Sequence, residues 1–333
     1  MRFERKVILE SSVVLEKREQ AAKVAKDLQS QLERVVFGQQ DVIQSLLVAL
    51  IAGGHVLLEG VPGLAKTLLV KSLGKVLDCR FSRIQFTPDL MPSDITGISL
   101  FDSNKNEFVF RQGPLFADLV LADEINRTPA KTQAALLEAM QEHQVSVDGT
   151  SYALSSTFTV VATQNPVESE GTYPLPEAQL DRFLLKLNLN YPNEEDERTM
   201  LTAMNGLGQS SWHPENQVEK VAGPADLANF RELAQATKVD QAVLDYILAL
   251  VRNSRELPQV ELGASPRSAI MLLNAAKALS LLRGRDYVSP DEVQSLVLPT
   301  LRHRLMLSPE AEIEGITEDD CLEMLVKKTA IPR

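Results

Sequence analysis

The sequence is poor in cysteine. It has two, Cys79 and Cys321, far apart in 333 residues. That excludes a disulfide framework and a cysteine-based metal site, and two plain thiols fit a reducing compartment. The four histidines, His55, His143, His213 and His303, are scattered without metal-ligand spacing. No Gly-x-Ser-x-Gly elbow occurs, so the serine-hydrolase layout is missing. No run of about eighteen apolar residues is present, so no membrane span is expected. The opening MRFERKVILE lacks the apolar region and small-residue cleavage site of a signal peptide, and the expected location is cytoplasmic. There is no block of five or six like charges, no internal repeat and no low-complexity tract. The formal net charge of -11 disfavours nucleic acid over most of the surface, so no nucleic-acid partner is expected.

What remains is an ordinary globular composition, 44% hydrophobic and 24% charged, long enough for two domains. Residues 13–34 are charged and helix-prone, with Leu15, Ala22, Ala25 and Leu28 on one stripe; a second helix is expected over roughly 40–52. After Gly53-Gly54 short apolar runs alternate with helical ones. Strands are expected at 55–59, 81–86, 118–122, 158–163 and 183–189, with helices at 66–77 and 129–143. This alternation predicts an α/β domain, a parallel sheet with helices on both faces. Two segments, 98–110 and 145–154, read as added β-hairpins; Asp148-Gly149 is a strong turn signal in the second. The expected division is a helical segment over 1–34, an α/β domain over 35–191 and a linker over 192–224 containing a loop at 205–223. An all-helical domain follows over 225–333. Within it Ser265-Pro266 and Ser289-Pro290 mark helix starts.

The chemistry concentrates at strand ends. GVPGLAKT (60–67) follows one strand and opens a helix. Glycines there let backbone N–H groups form a nest for anionic oxygens, and the helix N-terminus adds positive partial charge. Lys66 can reach the β- and γ-phosphates and the Thr67 hydroxyl can ligate Mg²⁺. The usual pattern is GxxxxGK[ST]; here Ala65 precedes the lysine, and alone the loop also reads as a Gly/Pro turn feeding a helix. Residue 65 is expected to adopt a conformation alanine tolerates, with Gly60 and Gly63 carrying the unusual turns. DLVLADE (118–124) is an apolar strand ending in two acids. Asp123 suits a metal and Glu124 a general base. Asn165, ending the next buried strand, can orient water. Arg182 can neutralise transition-state charge as an arginine finger, or pair with Asp181 or Glu177. Arg267 starts a helix of the second domain, where it opposes the macrodipole.

These elements, in this order, resemble the MoxR family of AAA+ ATPases. The likeness rests on GVPGLAKT (60–67), LADEINRTPAKTQAALLEAMQE (121–142), ATQNP (162–166) and LPEAQLDRF (175–183), and extends from about residue 35 into the low 300s. The resemblance implies a P-loop NTPase fold with a C-terminal all-helical lid, ATP and Mg²⁺ as cofactors, and Mg-dependent ATP hydrolysis. It implies nucleotide contacts from Gly60, Val61, Pro62, Gly63, Leu64, Ala65, Lys66, Thr67 and Leu68. Phe37, Gly38 and Gln39 are implied beside the adenine, and Pro266 and Arg267 from the lid. Thr67 and Asp123 are implied at the metal. The implied catalytic set is Lys66, Asp123, Glu124, Asn165 (sensor 1), Arg182 (finger) and Arg267 (sensor 2), with Arg127 a rival finger. The hairpin at 98–110 matches the helix-2 insert of this clade. The family implies a hexameric ring that matures or remodels client proteins, often ones with a von Willebrand factor A domain. The alternatives are a nucleic-acid-dependent motor and a metal-chelatase motor subunit. The hairpins carry few cations, Lys105 and Arg111 against Asp102, Glu107 and Asp148, which argues against gripping phosphates.

Overall fold

The structure is a computed structural model that describes residues 2–104, 106–166, 171–205 and 213–332, with side chains from Leu15 onward. Lys105, and residues 206–212 of the loop expected over 205–223, lie outside the described residues. The chain divides into two compact units. One comprises residues 29–46 and 53–225; the other comprises the stretch to Leu28, residues 47–52 and residues 226–333.

The chain starts with α1 (Arg2–Glu33) and α2 (Gln40–Ala52). β1 (Val56–Glu59) leads through the 60–65 loop into α3 (Lys66–Val76), which buries Leu69, Val70, Leu73 and Val76 on one helical face. β2 (Phe81–Gln85) and the short α4 (Pro92–Thr96) precede the hairpin of β3 (Gly97–Asp102) and β4 (Glu107–Gln112). β5 (Leu119–Asp123) is buried throughout, as an apolar strand flanked on both sides must be. α5 (Ala130–Glu142) ends at His143, whose φ of 50° stops the helix. β6 (Gln144–Val147) and β7 (Thr150–Ala153) form the second hairpin. Asp148 and Gly149 both hold positive φ, the conformation a two-residue turn of this hand requires. β8 (Thr159–Gln164), α6 (Glu177–Leu180) and β9 (Leu185–Asn188) complete the α/β portion.

Among the described residues five strands form one sheet in the order β2-β5-β8-β1-β9, every pairing parallel. Its core is built from Leu57, Phe86, Val120, Phe158, Val160 and Phe183, with Leu136 and Leu137 of α5. The register matters for function. Glu59 lies beside Gln164, and Gln85 beside Asp123. The carboxyl ends of β1, β2, β5 and β8 therefore share one edge of the sheet, where ligands of open α/β sheets bind. Asp118, just before β5, fixes the opposite end. It accepts bonds from the Arg80 backbone at 2.9 Å and guanidinium at 3.1 Å, and from the Ser155 hydroxyl. Burial alone would push its carboxyl up; these donors outweigh burial and hold it at about 2.

The stretch 192–224, read from sequence as linker, holds helix α7 (Glu194–Asn205), and a further turn at Pro214–Asn216 packs on α3 through Lys71 and Glu215, 2.5 Å apart. Four acids in the first turn of α7 favour the helix through its dipole.

The helical unit contains α8 (Pro224–Gln235), α9 (Gln241–Asn253), β10 (Val260–Leu262) and α10 (Pro266–Leu282). It closes with α11 (Pro290–Leu301), β11 (Met306–Leu307), α12 (Pro309–Ile313) and α13 (Glu318–Lys328). It is not all-helical: β10 and β11 pair antiparallel, in segments too short to leave an alternating pattern. Leu250, Leu272, Val293, Leu301 and Leu322 are buried in it. The α1 stripe also differs from expectation. Leu15 is exposed, whereas Arg18 is 1% exposed and sits in line with Ala22, Ala25 and Leu28. Arg18 is tolerated there because it donates to the Leu233 carbonyl (2.7 Å), the Arg285 carbonyl (3.0 Å) and the Thr237 hydroxyl (3.1 Å).

At the start of α11 Glu292 is fully buried. It receives the Ser289 N–H at 2.8 Å, closing a capping box, and both Arg283 and Arg285 at 2.7 Å. Burial alone would raise its carboxyl; the bonds from Ser289 and Arg283 outweigh it, and the group is held below the usual carboxylate range. Its contribution is therefore present above that range and lost as pH falls through it. Glu292→Gln is expected to cost about 2 kcal/mol, since the two arginines lose a buried partner but keep some solvent. Thermal melts should show the gap between variant and parent narrowing as pH drops into the carboxylate range; a gap independent of pH would contradict the assignment.

Candidate functional site

A cleft of about 450 Å³ opens at the carboxyl edge of the sheet. It is lined by the 62–68 segment, Arg83 and Gln85 of β2, Asp123 and Glu124 at the end of β5, and Thr163 and Asn165 at the end of β8. Lys66, Thr67, Asp123, Glu124 and Asn165, five residues singled out in sequence, are thus brought together. Gly60 and Val61 do not line it. Gly60 instead packs against the chain leaving β9, where a Cβ would meet the Leu189 carbonyl oxygen at 3.0 Å; its own carbonyl accepts from the Lys66 ammonium.

The loop departs from expectation at Ala65. Gly63 carries an unusual turn, with φ 91°, as foreseen; Gly60 holds no positive φ. Ala65, expected in an ordinary conformation, is left-handed at φ 58°, ψ 21° and forms the N-cap of α3. The position before the lysine demands a left-handed residue, which is why glycine is usual there. Alanine adopts the shape at a cost of about 1–2 kcal/mol, held by the Leu69 N–H, which donates to the Ala65 carbonyl at 2.9 Å. The turn leaves the first N–H groups of α3 facing the cleft, with the dipole's positive end behind them.

Asp123 is 7% exposed and needs partners for both oxygens. Thr163 donates to Oδ1 at 2.7 Å; Arg83 donates to Oδ2 through Nε (3.1 Å) and Nη2 (2.7 Å); the Thr67 hydroxyl lies 3.4 Å from the same Oδ2. Glu124 follows in a left-handed turn, φ 57°, which swings it off the strand line; its N–H donates to Thr163 Oγ1 at 2.9 Å. Strained backbone of this kind collects at functional sites. Its carboxylate meets the Gln85 amide at 2.9 Å and Arg127 at 3.0 Å. Asn165 is buried and lines the cleft. A hydroxyl and a buried carboxylate 3.4 Å apart are hard oxygen donors of the kind Mg²⁺ prefers, and they stand where the loop would hold phosphate.

Sequence reasoning missed Arg83, Gln85 and Thr163. The first two left a signal: FSRIQF alternates more than its sister strands, placing residues 83 and 85 on one face while Ile84 is buried on the other. Thr163, inside an apolar run, left none.

The remaining predicted residues of the same unit, Phe37, Gly38, Gln39 and Arg182, do not line the cleft. Phe37-Gly38-Gln39 docks on the chain after β9: Gln39 donates to the Asn190 carbonyl at 2.8 Å, and a Cβ on Gly38 would meet Pro192 at 2.8 Å. The loop at Gly60 touches the same stretch at Leu189. Arg182 follows α6, half-buried. Pro266 and Arg267 begin α10 in the other compact unit, with Arg267 exposed.

Ala65→Gly should relieve the left-handed strain, offset in part by the unfolded-chain entropy of glycine, for a net gain of about 1 kcal/mol. Thermal unfolding monitors it; an unchanged or lower midpoint would mean that the loop holds alanine without strain.

Comparison with known proteins agrees with this geometry. Residues 55–185 match the family described as ATPase family associated with various cellular activities (AAA), and residues 252–325 match the AAA lid domain. YeaC of Bacillus subtilis is 48% identical over 301 residues, covering 90% of this chain and 92% of its own. Chaperone MoxR1 of Mycobacterium tuberculosis is 43% identical over 312 residues, covering 91% of this chain and 81% of its own. The crystal structure of a candidate ATPase from Cytophaga hutchinsonii is similar with a TM-score of 0.88 at 42% identity, covering 98% of this chain and 99% of that one. A five-stranded parallel sheet with its loop, acids and asparagine at one edge, a helical lid, and these relatives lead to one conclusion: the chain belongs to the MoxR family of AAA+ ATPases.

Proposed function

We propose that the cleft binds ATP with Mg²⁺ and hydrolyses it, and that an oligomeric ring of this chain uses the cycle to remodel client proteins. The observation that carries the catalytic part is the convergence of Lys66, Thr67, Asp123, Glu124 and Asn165 on one cleft at the sheet's carboxyl edge. Backbone N–H groups of the 62–67 segment receive phosphate oxygens, and Lys66 adds a full positive charge. Thr67 and Asp123 hold Mg²⁺, which when bound neutralises phosphate charge. Glu124 accepts a proton from water as the water oxygen bonds to the γ-phosphorus. The bond from that phosphorus to the β–γ bridging oxygen breaks, and ADP and phosphate leave. Asn165 orients the water without adding charge. The pairing of Glu124 with Gln85 and Arg127 fixes where its carboxylate stands.

Arg127 pairs with Glu124 of its own chain, so Arg182 is the better finger for a neighbouring subunit's nucleotide. Arg267 supplies sensor 2 from the helical lid. Phe37, Gly38 and Gln39 flank the adenine. Residues 35–191 act as the nucleotide domain and 225–333 as the lid. The remodelling role follows the relative named Chaperone MoxR1; the clients include proteins with von Willebrand factor A domains. Among the described residues no helix is long and apolar enough to cross a membrane, and a cytoplasmic ring fits that.

Two outcomes are expected. Glu124→Gln should keep ATP bound, by equilibrium binding of labelled nucleotide, while lowering kcat by about 100-fold or more; near-parental turnover would remove it as the base. Arg182→Ala should leave nucleotide affinity within about two-fold and abolish the rise of specific activity with protein concentration. If the parent chain shows no such rise and hydrolyses fully as a monomer, a trans finger is ruled out.

A further inference from the structure

A continuous polar chain joins the two acids of the cleft, and it runs through Arg83 and Gln85, two of the residues that sequence reasoning missed. Arg83 Nη2 donates both to Asp123 Oδ2 and to Gln85 Oε1, each at 2.7 Å. Gln85 Nε2 in turn donates to Glu124 Oε2 at 2.9 Å. The order is Asp123, Arg83, Gln85, Glu124, with the two middle residues side by side on β2. Gln85 can give its N–H₂ to Glu124 because its carbonyl is taken by Arg83, so Arg83 sets the amide's orientation.

The oxygen at issue is Oδ2. It is the carboxylate oxygen nearer Thr67, 3.4 Å from that hydroxyl, and Arg83 already holds it with two N–H bonds. The other oxygen is taken by Thr163. A buried carboxylate requires a compensating cation, and the guanidinium meets that need. A divalent cation drawn to Thr67 and Asp123 competes for the same oxygen and repels the guanidinium. The Arg83 side chain is 49% exposed, so it can give up the contact and hydrate at small cost.

We propose that Arg83 is a positioning residue that acts as the resident counter-ion of Asp123, and that metal loading displaces it. This rests on the ATPase reading above.

The test is metal affinity in the full chain with a non-hydrolysable ATP analogue bound, read by electron paramagnetic resonance of Mn²⁺. Arg83→Gln and Arg83→Met should each bind Mn²⁺ about ten-fold more tightly than the parent, because a competing cation is gone. Damage to the site would weaken binding, so tightening separates displacement from a structural role. Gln85→Ala, which leaves Asp123 untouched, should stay within about two-fold of the parent. Unchanged or weaker Mn²⁺ binding in the arginine variants that still bind the analogue overturns the proposal, as does equal tightening in Gln85→Ala. Asp123→Asn serves as the control. If it binds Mn²⁺ as the parent does, or if the parent does not bind the analogue, the ATPase reading fails rather than the role of Arg83.

Discussion

The buried carboxylate of Asp123 is the constraint around which this cleft is organised. An acid at the end of a fully buried strand cannot rely on water, so every neighbour must be a donor or a cation. Thr163 comes from β8 on one side, Arg83 from β2 on the other, and Thr67 from the first turn of α3 above. The parallel register that places Gln85 beside Asp123 lets one side chain gather three elements. Removing the acid would leave these donors facing one another; keeping it fixes the loop, the sheet edge and the base in one frame.

Two residues flanking that frame share an unusual backbone. Ala65 and Glu124 are both left-handed without being glycine. The first turns the loop into α3 and the second turns the chain off β5. Together they hold about 2–4 kcal/mol of local strain that the packed sheet behind them sustains. A glycine at either place would relax the turn but also widen the conformations open to it. The cleft exchanges some stability for a narrow choice of positions for Lys66 and Glu124.

Much of this was legible in the amino-acid sequence. Strands ending in chemistry are conspicuous: an apolar run stopping at Asp123-Glu124 or at Asn165 marks a sheet edge. Asp148-Gly149 carries its turn in its residue types. The illegible parts have physical causes. Arg83 and Gln85 stand on an edge strand, where exposed polar residues are ordinary, and only the neighbouring strand gives them meaning. The conformation of Ala65 reverses its own propensity because the loop, not the residue, sets φ. Arg18 lies in a charged, helix-prone stretch, and its burial depends on three oxygen acceptors more than two hundred residues away. β10 and β11 pair across more than forty residues with too few positions for any period to show.

The β3–β4 hairpin carries a different kind of consequence. A two-stranded ribbon has two faces and cannot bury both against one support. Here Phe110 stacks on Tyr152 of β7 with ring centroids 4.1 Å apart, while Phe101 and Phe108 pair with each other at 5.3 Å and remain exposed, Phe108 at 73%. Ile98 and Leu100 are exposed as well. Such a surface has a colloidal cost, since sticky ribbons on separate molecules attract without specificity. The formal charge of -11 works against that attraction at a distance, and salt screens it within about 10 Å at 0.1 M. The chain's solubility is thus a balance between a short-range apolar ribbon and a long-range negative field, and ionic strength sets which one governs an encounter.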